Sequence, residues 1–227
     1  FVAGVIVFAP GIVFSCLIPL RVRFIATVHR CFFRATNRWK NVGATCSRRW
    51  KKTSNGLRPI WSFTVFLLYN LFLIISGLVL VPYYLLRGLR YGKSRRGIRE
   101  RLGYYTDEQL QQLRDNQVIW IHAVSVGETR AAMPLISALR QRYPGHLILV
   151  TNVTETGHTV ALENSQVDLC LFFPFDFSWA VRKSLKLIRP QIILIVETEI
   201  WPNFVRQANA LAIPLMLVNG RLSDRSF

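Results

Sequence analysis

Apolar and polar positions follow different rules in the two halves of the chain. From Val118 onward, short apolar runs alternate with segments in which apolar residues recur three and four positions apart. Val118-Ile-Trp-Ile-His-Ala-Val124 is an unbroken run of the kind that makes a parallel strand buried on both faces. The helix expected over Thr129–Tyr143 carries Ala131, Leu135, Ile136 and Leu139 on one side. Pro134 in its first turns delays its start or bends it. Leu147–Thr151, Val167–Phe173, Gln191–Val196 and Ile213–Val218 read as further strands. Thr156–Asn164, Asp176–Ile188 and Pro202–Leu211 read as the helices between them, with Arg189-Pro190 ending the second of these. Five strands alternating with helices predict a doubly wound, Rossmann-like α/β domain over 118–227.

Upstream the pattern has neither period. Residues 61–86 contain no charge, and a helix of that length spans a hydrocarbon core of ~30 Å. Trp61 at one end and Tyr83 and Tyr84 at the other are interfacial aromatics, and Arg87, Arg90, Lys93, Arg95, Arg96 and Arg99 follow. This predicts a membrane-anchor helix with everything after residue 87 on the cytoplasmic side. A buried core helix is the alternative, and Pro82 leaves room for a segment lying partly in the interface. Residues 87–117 read as a basic linker. Residues 1–20 are apolar but interrupted by Pro10 and Pro19, with no positive region before them, so they make a poor signal peptide. Residues 21–58 are basic, with Trp and Cys interspersed and no period. They read either as a basic tail or as translated sequence upstream of the true start. The chain begins with Phe1, and its two methionines are Met133 and Met216, both expected in the core. It is therefore expected to be a fragment, with 1–57 of doubtful authenticity.

Composition changes this picture in one respect. The chain has 29 Lys/Arg against 12 Asp/Glu, a net charge of +17. The first acidic residue is Glu100, so the whole excess lies in the N-terminal part and the α/β part is neutral. Basic charge beside an apolar segment points to an anionic membrane surface before it points to nucleic acid. Cys16, Cys31, Cys46 and Cys170 fit no metal-ligand spacing, and Cys170 lies in an apolar run where it is expected to pack. This cysteine usage is compatible with a reducing compartment.

Ligands of doubly wound sheets gather beyond the C-terminal ends of the strands. Four loops qualify: Ser125-Val-Gly-Glu128, Asn152-Val-Thr-Glu-Thr-Gly157, Phe173-Pro-Phe-Asp176 and Glu197-Thr-Glu-Ile-Trp-Pro202. A carboxylate placed straight after a hydrophobic strand must be solvated, paired or functional. Ser125 and Glu128 also fit a capping box, with Glu128 returning to the Ser125 amide. Gly127 permits a tight turn or close approach of a ligand. Glu197 and Glu199 can instead cap the helix that begins near Trp201-Pro202. His122 is expected to be a satisfied strand-end histidine.

These segments resemble those of 3-deoxy-D-manno-octulosonic acid (Kdo) transferases. Ile121-His-Ala-Val-Ser-Val-Gly-Glu-Thr129 is similar to the family's H-x-V-S-V-G-E-T segment. Val150-Thr151 with Thr154-x-Thr-Gly157 resembles its V-T-x-x-T-x-T-G turn, and Phe173-Pro-Phe-Asp176 its L-P-Y-D loop. Glu197-Thr-Glu-Ile-Trp-Pro-Asn203 resembles E-T-E-L-W-P-N, Asn219-x-Arg-Leu-Ser223 resembles N-A-R-L-S, and Arg99-Glu-Arg-Leu-Gly103 resembles the family's start. The resemblance covers residues ~60–227. Glu155 and Gly220 depart from it, standing where the family has proline and alanine.

The resemblance implies the N-terminal, acceptor-side domain of a GT-B glycosyltransferase, truncated before the domain that binds most of the CMP-Kdo donor. It implies Kdo transfer with inversion to a lipid A precursor in lipopolysaccharide biosynthesis, at the cytoplasmic face of the inner membrane, without a tightly bound cofactor or a metal. Glu128 matches the family's catalytic base and Glu197 its supporting acid. Glu199 is in reserve for that second role, and Ser125, Gly127, Thr154, Thr156 and Gly157 are candidates for substrate contact. Lipid phosphates and membrane lipids would meet Arg87–Arg99, although ordinary positive-inside flanking explains those residues equally. Two other classes are compatible with parts of the sequence. One is a catalytically inactive, membrane-tethered lipid A or nucleotide-sugar binding protein. The other is a nucleic-acid binder, which rests on net charge alone.

Overall fold

The computed structural model describes residues 3–9, 12–18, 64–78, 95–197 and 199–220. Outside the described residues lie 21–58, Arg87, Arg90 and Lys93, the two ends of the expected 61–86 anchor, and Arg221-Leu-Ser223 of the last motif.

The chain divides into two compact units, one covering residues 34–94 and the other the remainder. In the smaller unit residues 64–78 form helix α1. Most of its side chains are apolar, with Thr64, Asn70 and Ser76 the polar exceptions, and Val65, Leu68, Phe72, Ile75 and Leu78 are each more than half exposed. Uncharged and largely apolar exposure of this extent suits a buried or membrane-facing helix. Fifteen residues extend only ~22 Å, however, against the ~30 Å of a bilayer core. Among the described residues no helix is long and apolar enough to cross a membrane.

The larger unit begins with strands β1 (Ala3–Ala9) and β2 (Ile12–Ile18), elements the pattern of polar and apolar positions did not mark. Helices α2 (Arg95–Arg101) and α3 (Asp107–Asp115) follow, where the sequence suggested a linker. The α/β alternation then runs β3 (Gln117–His122), α4 (Val126–Arg142), β4 (His146–Asn152), α5 (Glu155–Leu162), β5 (Leu169–Phe172), α6 (Ser178–Ile188), β6 (Ile192–Val196), α7 (Pro202–Ala210) and β7 (Leu215–Gly220). All five strands and four helices expected after residue 117 are present.

The sheet order is β2-β1-β7-β6-β3-β4-β5. Strands β3 to β7 are mutually parallel, and β1 is antiparallel to β7 and to β2. The first parallel strand, β3, thus lies between β4 and β6, and the winding reverses at β3/β6. That reversal opens the crevice in which such sheets bind ligands.

The strands are buried on both faces because their runs are continuously apolar. Ile119, Ile121, Ile148, Val150 and Leu194 pack against Ala132, Ile136 and Leu139 of α4 and Ala161 of α5. Trp120, Leu149, Ile193 and Ile195 pack on the opposite side against Val181, Leu185 and Ile188 of α6 and Phe204 of α7. Helix α4 starts at Val126, earlier than Pro134 suggested, and contains that proline in its interior. Its buried line runs through Glu128, Thr129, Ala132, Ile136 and Leu139, so Ala132 faces the core and Ala131 is exposed. Met216 is fully buried and Met133 only partly.

Helices α2 and α3 close the β5 edge. Glu100 accepts the Phe172 N–H at 2.9 Å with one oxygen and the Gln109 side-chain amide at 3.1 Å with the other. The Arg101 guanidinium lies 4.7 Å from the centroid of the Phe172 ring. A donor that would face solvent or another chain is thereby satisfied internally. Thr106 and Gln109 form a reciprocal capping box at the start of α3.

Candidate active site

The crevice is built from two loops, one following β3 and one following β6. Ser125, in extended conformation, is the N-cap of α4. Its hydroxyl donates to Glu128 Oε1 at 3.0 Å and accepts the Glu128 N–H at 3.5 Å. The second carboxylate oxygen, Oε2, accepts the Val124 N–H at 2.7 Å. Glu128 therefore does return along the chain, but to the Val124 amide and not to that of Ser125. Helix start and carboxylate position are one arrangement, and Glu128 keeps 8% of its surface exposed. An ionised carboxylate has about four acceptor positions. Two are used here, which leaves capacity on each oxygen for an incoming hydroxyl.

The loop after β4 fixes the loop after β3 from the side. The Val124 carbonyl accepts the N–H groups of Val153 and Thr154 at 3.2 and 3.1 Å, and the Thr154 hydroxyl at 3.2 Å. Asn152, fully buried, donates to the Ala123 carbonyl at 2.7 Å and to Thr129 Oγ1 at 2.8 Å. Its Oδ1 is buried with no partner among the described residues. Thr154 is the N-cap of α5 and accepts the Gly157 N–H at 3.1 Å. A Cβ at Gly157 would lie 3.1 Å from the Ser125 carbonyl carbon, so this glycine is where α5 and the Ser125 loop touch.

On the other side of the reversal, Glu197 ends β6 with φ 63, the left-handed region that a residue with a Cβ seldom adopts. Its N–H donates to the Val218 carbonyl at 2.7 Å. Glu199 follows on the same loop. Partial burial, then Glu128, then Glu197 raise its carboxyl above the ordinary range. Glu199 thus senses one carboxylate on each of the two loops. The loop ends at α7, whose N-cap Trp201 makes no side-chain cap bond. The first amides of α7 go to a residue that sequence reasoning did not single out. Asp176 accepts the Asn203 N–H at 3.0 Å and the Phe204 N–H at 2.8 Å. Glu197 and Glu199 therefore do not fill the capping role that their spacing also allowed.

Comparison with known proteins decides the family. Residues 96–227, more than half of the chain, match the family model described as 3-Deoxy-D-manno-octulosonic-acid transferase (kdotransferase). The chain belongs to the Kdo transferase family. It is 31% identical over 168 residues to the 3-deoxy-D-manno-octulosonic acid transferase of Haemophilus influenzae, covering 74% of this chain and 38% of that protein. The transferase of Bordetella pertussis is 39% identical over 115 residues, 48% of this chain and 26% of the relative. A probable mitochondrial 3-deoxy-D-manno-octulosonic acid transferase of Arabidopsis thaliana is 39% identical over 111 residues, 48% and 25%. The chain thus spans well under half the length of these Kdo transferases.

Of the residues singled out from the family motifs, Ser125, Glu128, Thr154 and Gly157 share one hydrogen-bonded and packed cluster. Glu197 and Glu199 lie on the loop after β6, and Glu199 is close enough to sense the Glu128 charge. Thr156 is exposed in the first turn of α5. Gly127 is also exposed, and a Cβ there would meet nothing nearer than Ser125 Oγ at 3.9 Å, so the fold itself does not require glycine. Gly157, by contrast, is accounted for by packing. His122 is fully buried, stacked on Phe173 with ring centroids 3.7 Å apart. Its Nδ1 reaches the Thr151 carbonyl at 3.2 Å and hydroxyl at 3.1 Å, but Nε2 is without a partner among the described residues. It is only half satisfied, and burial pushes it down to about 3, so it stays neutral. Cys170 is a partly buried thiol, pushed up to about 12 by burial. It is no nucleophile.

Proposed function

We propose that the protein containing this chain transfers Kdo from CMP-Kdo to a lipid A precursor, with Glu128 as the general base. The observation that carries the reading is the Glu128 carboxylate, held by Val124 N–H and Ser125 Oγ–H at the β3/β6 reversal with acceptor capacity to spare. A sugar hydroxyl bonded to that carboxylate loses its proton as its oxygen attacks the anomeric carbon of Kdo. The C–O bond to CMP breaks on the opposite face, and the configuration inverts. Glu199, which senses both Glu128 and Glu197, and Glu197 supply the supporting negative field, with Glu197 as the orienting acid. The donor is held chiefly by a second α/β domain of the GT-B arrangement, which in the relatives' greater length has room to follow this one.

The exposed apolar residues of α1 support an anchor within residues 61–86; the reading places it at the inner membrane, with the basic residues that follow keeping the catalytic domain on the cytoplasmic side. The basic stretch Arg87–Arg99 would then lie beside anionic lipid and acceptor phosphates.

The test is transfer of labelled Kdo by the full-length protein to a lipid A precursor in detergent, with the anomeric configuration of the product read by NMR. Inverted product supports the reading. Binding of CMP-Kdo and lipid acceptor without turnover would replace it with the inactive binding protein.

A further inference from the structure

We propose that Asp176 is a positioning residue for Glu199, on the stretch that leads into α7, acting at a distance from the reacting atoms. The inference rests on the transferase reading above and extends it to a residue on a third loop.

The loop is short and gripped at both ends. At the β6 end, Glu197 is locked in a left-handed conformation by its N–H bond to the Val218 carbonyl. At the α7 end the sequence supplies no local cap. Trp201 has no side-chain acceptor, and Pro202 at the helix start has no N–H to satisfy. The next two amides, Asn203 and Phe204, each take one oxygen of Asp176, whose carboxylate is 5% exposed. The fully buried Asn203 side chain returns to the Asp176 carbonyl at 2.6 Å. Two backbone amides at the positive end of a helix stabilise a buried carboxylate, and the carboxylate in turn fixes the helix. Three bonds, all donated from the start of α7 to Asp176, make a clamp between the β5–α6 loop and that helix.

Phe173, at the start of the same β5–α6 loop, lies 5.8 Å from Trp201 and 4.8 Å from Phe204 between ring centroids, so packing backs the clamp. With the start of α7 fixed, Glu199, two residues before Trp201, is tied to a fixed point. Glu199 is held where it senses both Glu128 and Glu197.

The experiment compares Asp176→Asn and Asp176→Leu in the full-length protein. Asn keeps one acceptor oxygen for one of the two amides, and Leu keeps none. Because a displacement near 1 Å costs about 100-fold in rate, Asp176→Leu is expected to lose about 100-fold in kcat and Asp176→Asn about 10-fold. KM values for donor and acceptor should stay within about twofold, since binding surfaces are untouched. Amide exchange should accelerate at Asn203 and Phe204 in both variants and stay unchanged at Ile119–Ile121. If the Leu variant folds poorly, the Asn variant alone carries this readout. Normal kcat per folded molecule in Asp176→Asn, or unchanged exchange at both amides, overturns the proposal and leaves the transferase reading intact. A wild-type protein without Kdo transfer overturns both.

Discussion

Gly157→Ala sets two well-measured effects against each other at the edge of the site. In a helix, replacing glycine by alanine contributes about 0.5–1 kcal/mol of stability through backbone entropy. Gly157 lies in the first turn of α5 with an ordinary helical backbone, so this gain applies in full. The new Cβ, however, would sit 2.9 Å from Thr154 Oγ1, 3.1 Å from the Ser125 carbonyl carbon and 3.3 Å from Asn152 Nδ2. None of these can move cheaply. Thr154 Oγ1 is the N-cap acceptor and also bonds the Val124 carbonyl, Ser125 is backbone, and Asn152 is fully buried and bonded twice. Overpacking of this kind costs about 1–3 kcal/mol. Displacing the Thr154 cap adds about 1 kcal/mol. The losses win, and Gly157→Ala should destabilise the domain by about 1–3 kcal/mol net. Chemical denaturation followed by circular dichroism measures it. The Thr154→Ala background removes the nearest contact, so Gly157→Ala should cost at least about 0.5 kcal/mol less there. A neutral or stabilising Gly157→Ala, or strict additivity with Thr154→Ala, refutes the reasoning.

Two further outcomes concern charge. His122 is held neutral in the fold well below its ordinary value of 6.5, so the unfolded chain binds the extra proton. Its stabilising contribution is present above pH 6.5 and is lost as pH falls towards 3, at up to about 1.4 kcal/mol per pH unit. His122→Phe, which keeps the stack on Phe173, should flatten the pH dependence of unfolding free energy between pH 6 and 4. An unchanged slope contradicts this. Glu199 is raised by its neighbours as well as by burial, so Glu128→Gln should lower its titration midpoint in carboxyl NMR, and an unmoved midpoint would sever the proposed coupling. The sign for stability is the reverse of the usual carboxylate. Because the folded value is raised, ionising Glu199 reduces stability as pH rises through it.

The parallel sheet was legible because its strands are unbroken apolar runs and its helices keep one face apolar. The crevice followed from topology, which puts the loops after β3 and β6 side by side. What the sequence concealed was non-local. The Thr106-Asp-Glu-Gln109 signal of α3 was present but overshadowed by the basic residues around Arg87–Arg99. Glu100, read as part of that stretch, caps an edge strand 72 positions away. Asp176 caps a helix 27 residues later, and no spacing rule connects them. The Ser125–Glu128 pattern offered capping and catalysis as alternatives. In the structure the cap contacts fix the carboxylate, and that placement is compatible with a catalytic role as well. The strands β1 and β2 lacked alternation because both are nearly continuous apolar segments, which period-based reading does not resolve.

The most direct test of the central claim is single-turnover Kdo transfer by full-length Glu128→Gln, with CMP-Kdo and acceptor binding measured on the same preparation. Gln preserves size and one acceptor oxygen but cannot take a proton. A loss of about 100-fold or more in the transfer rate, with both substrates still bound and the fold retained, is the predicted result. Transfer at a near-normal rate would show that Glu128 serves α4 as a cap and that the base lies elsewhere.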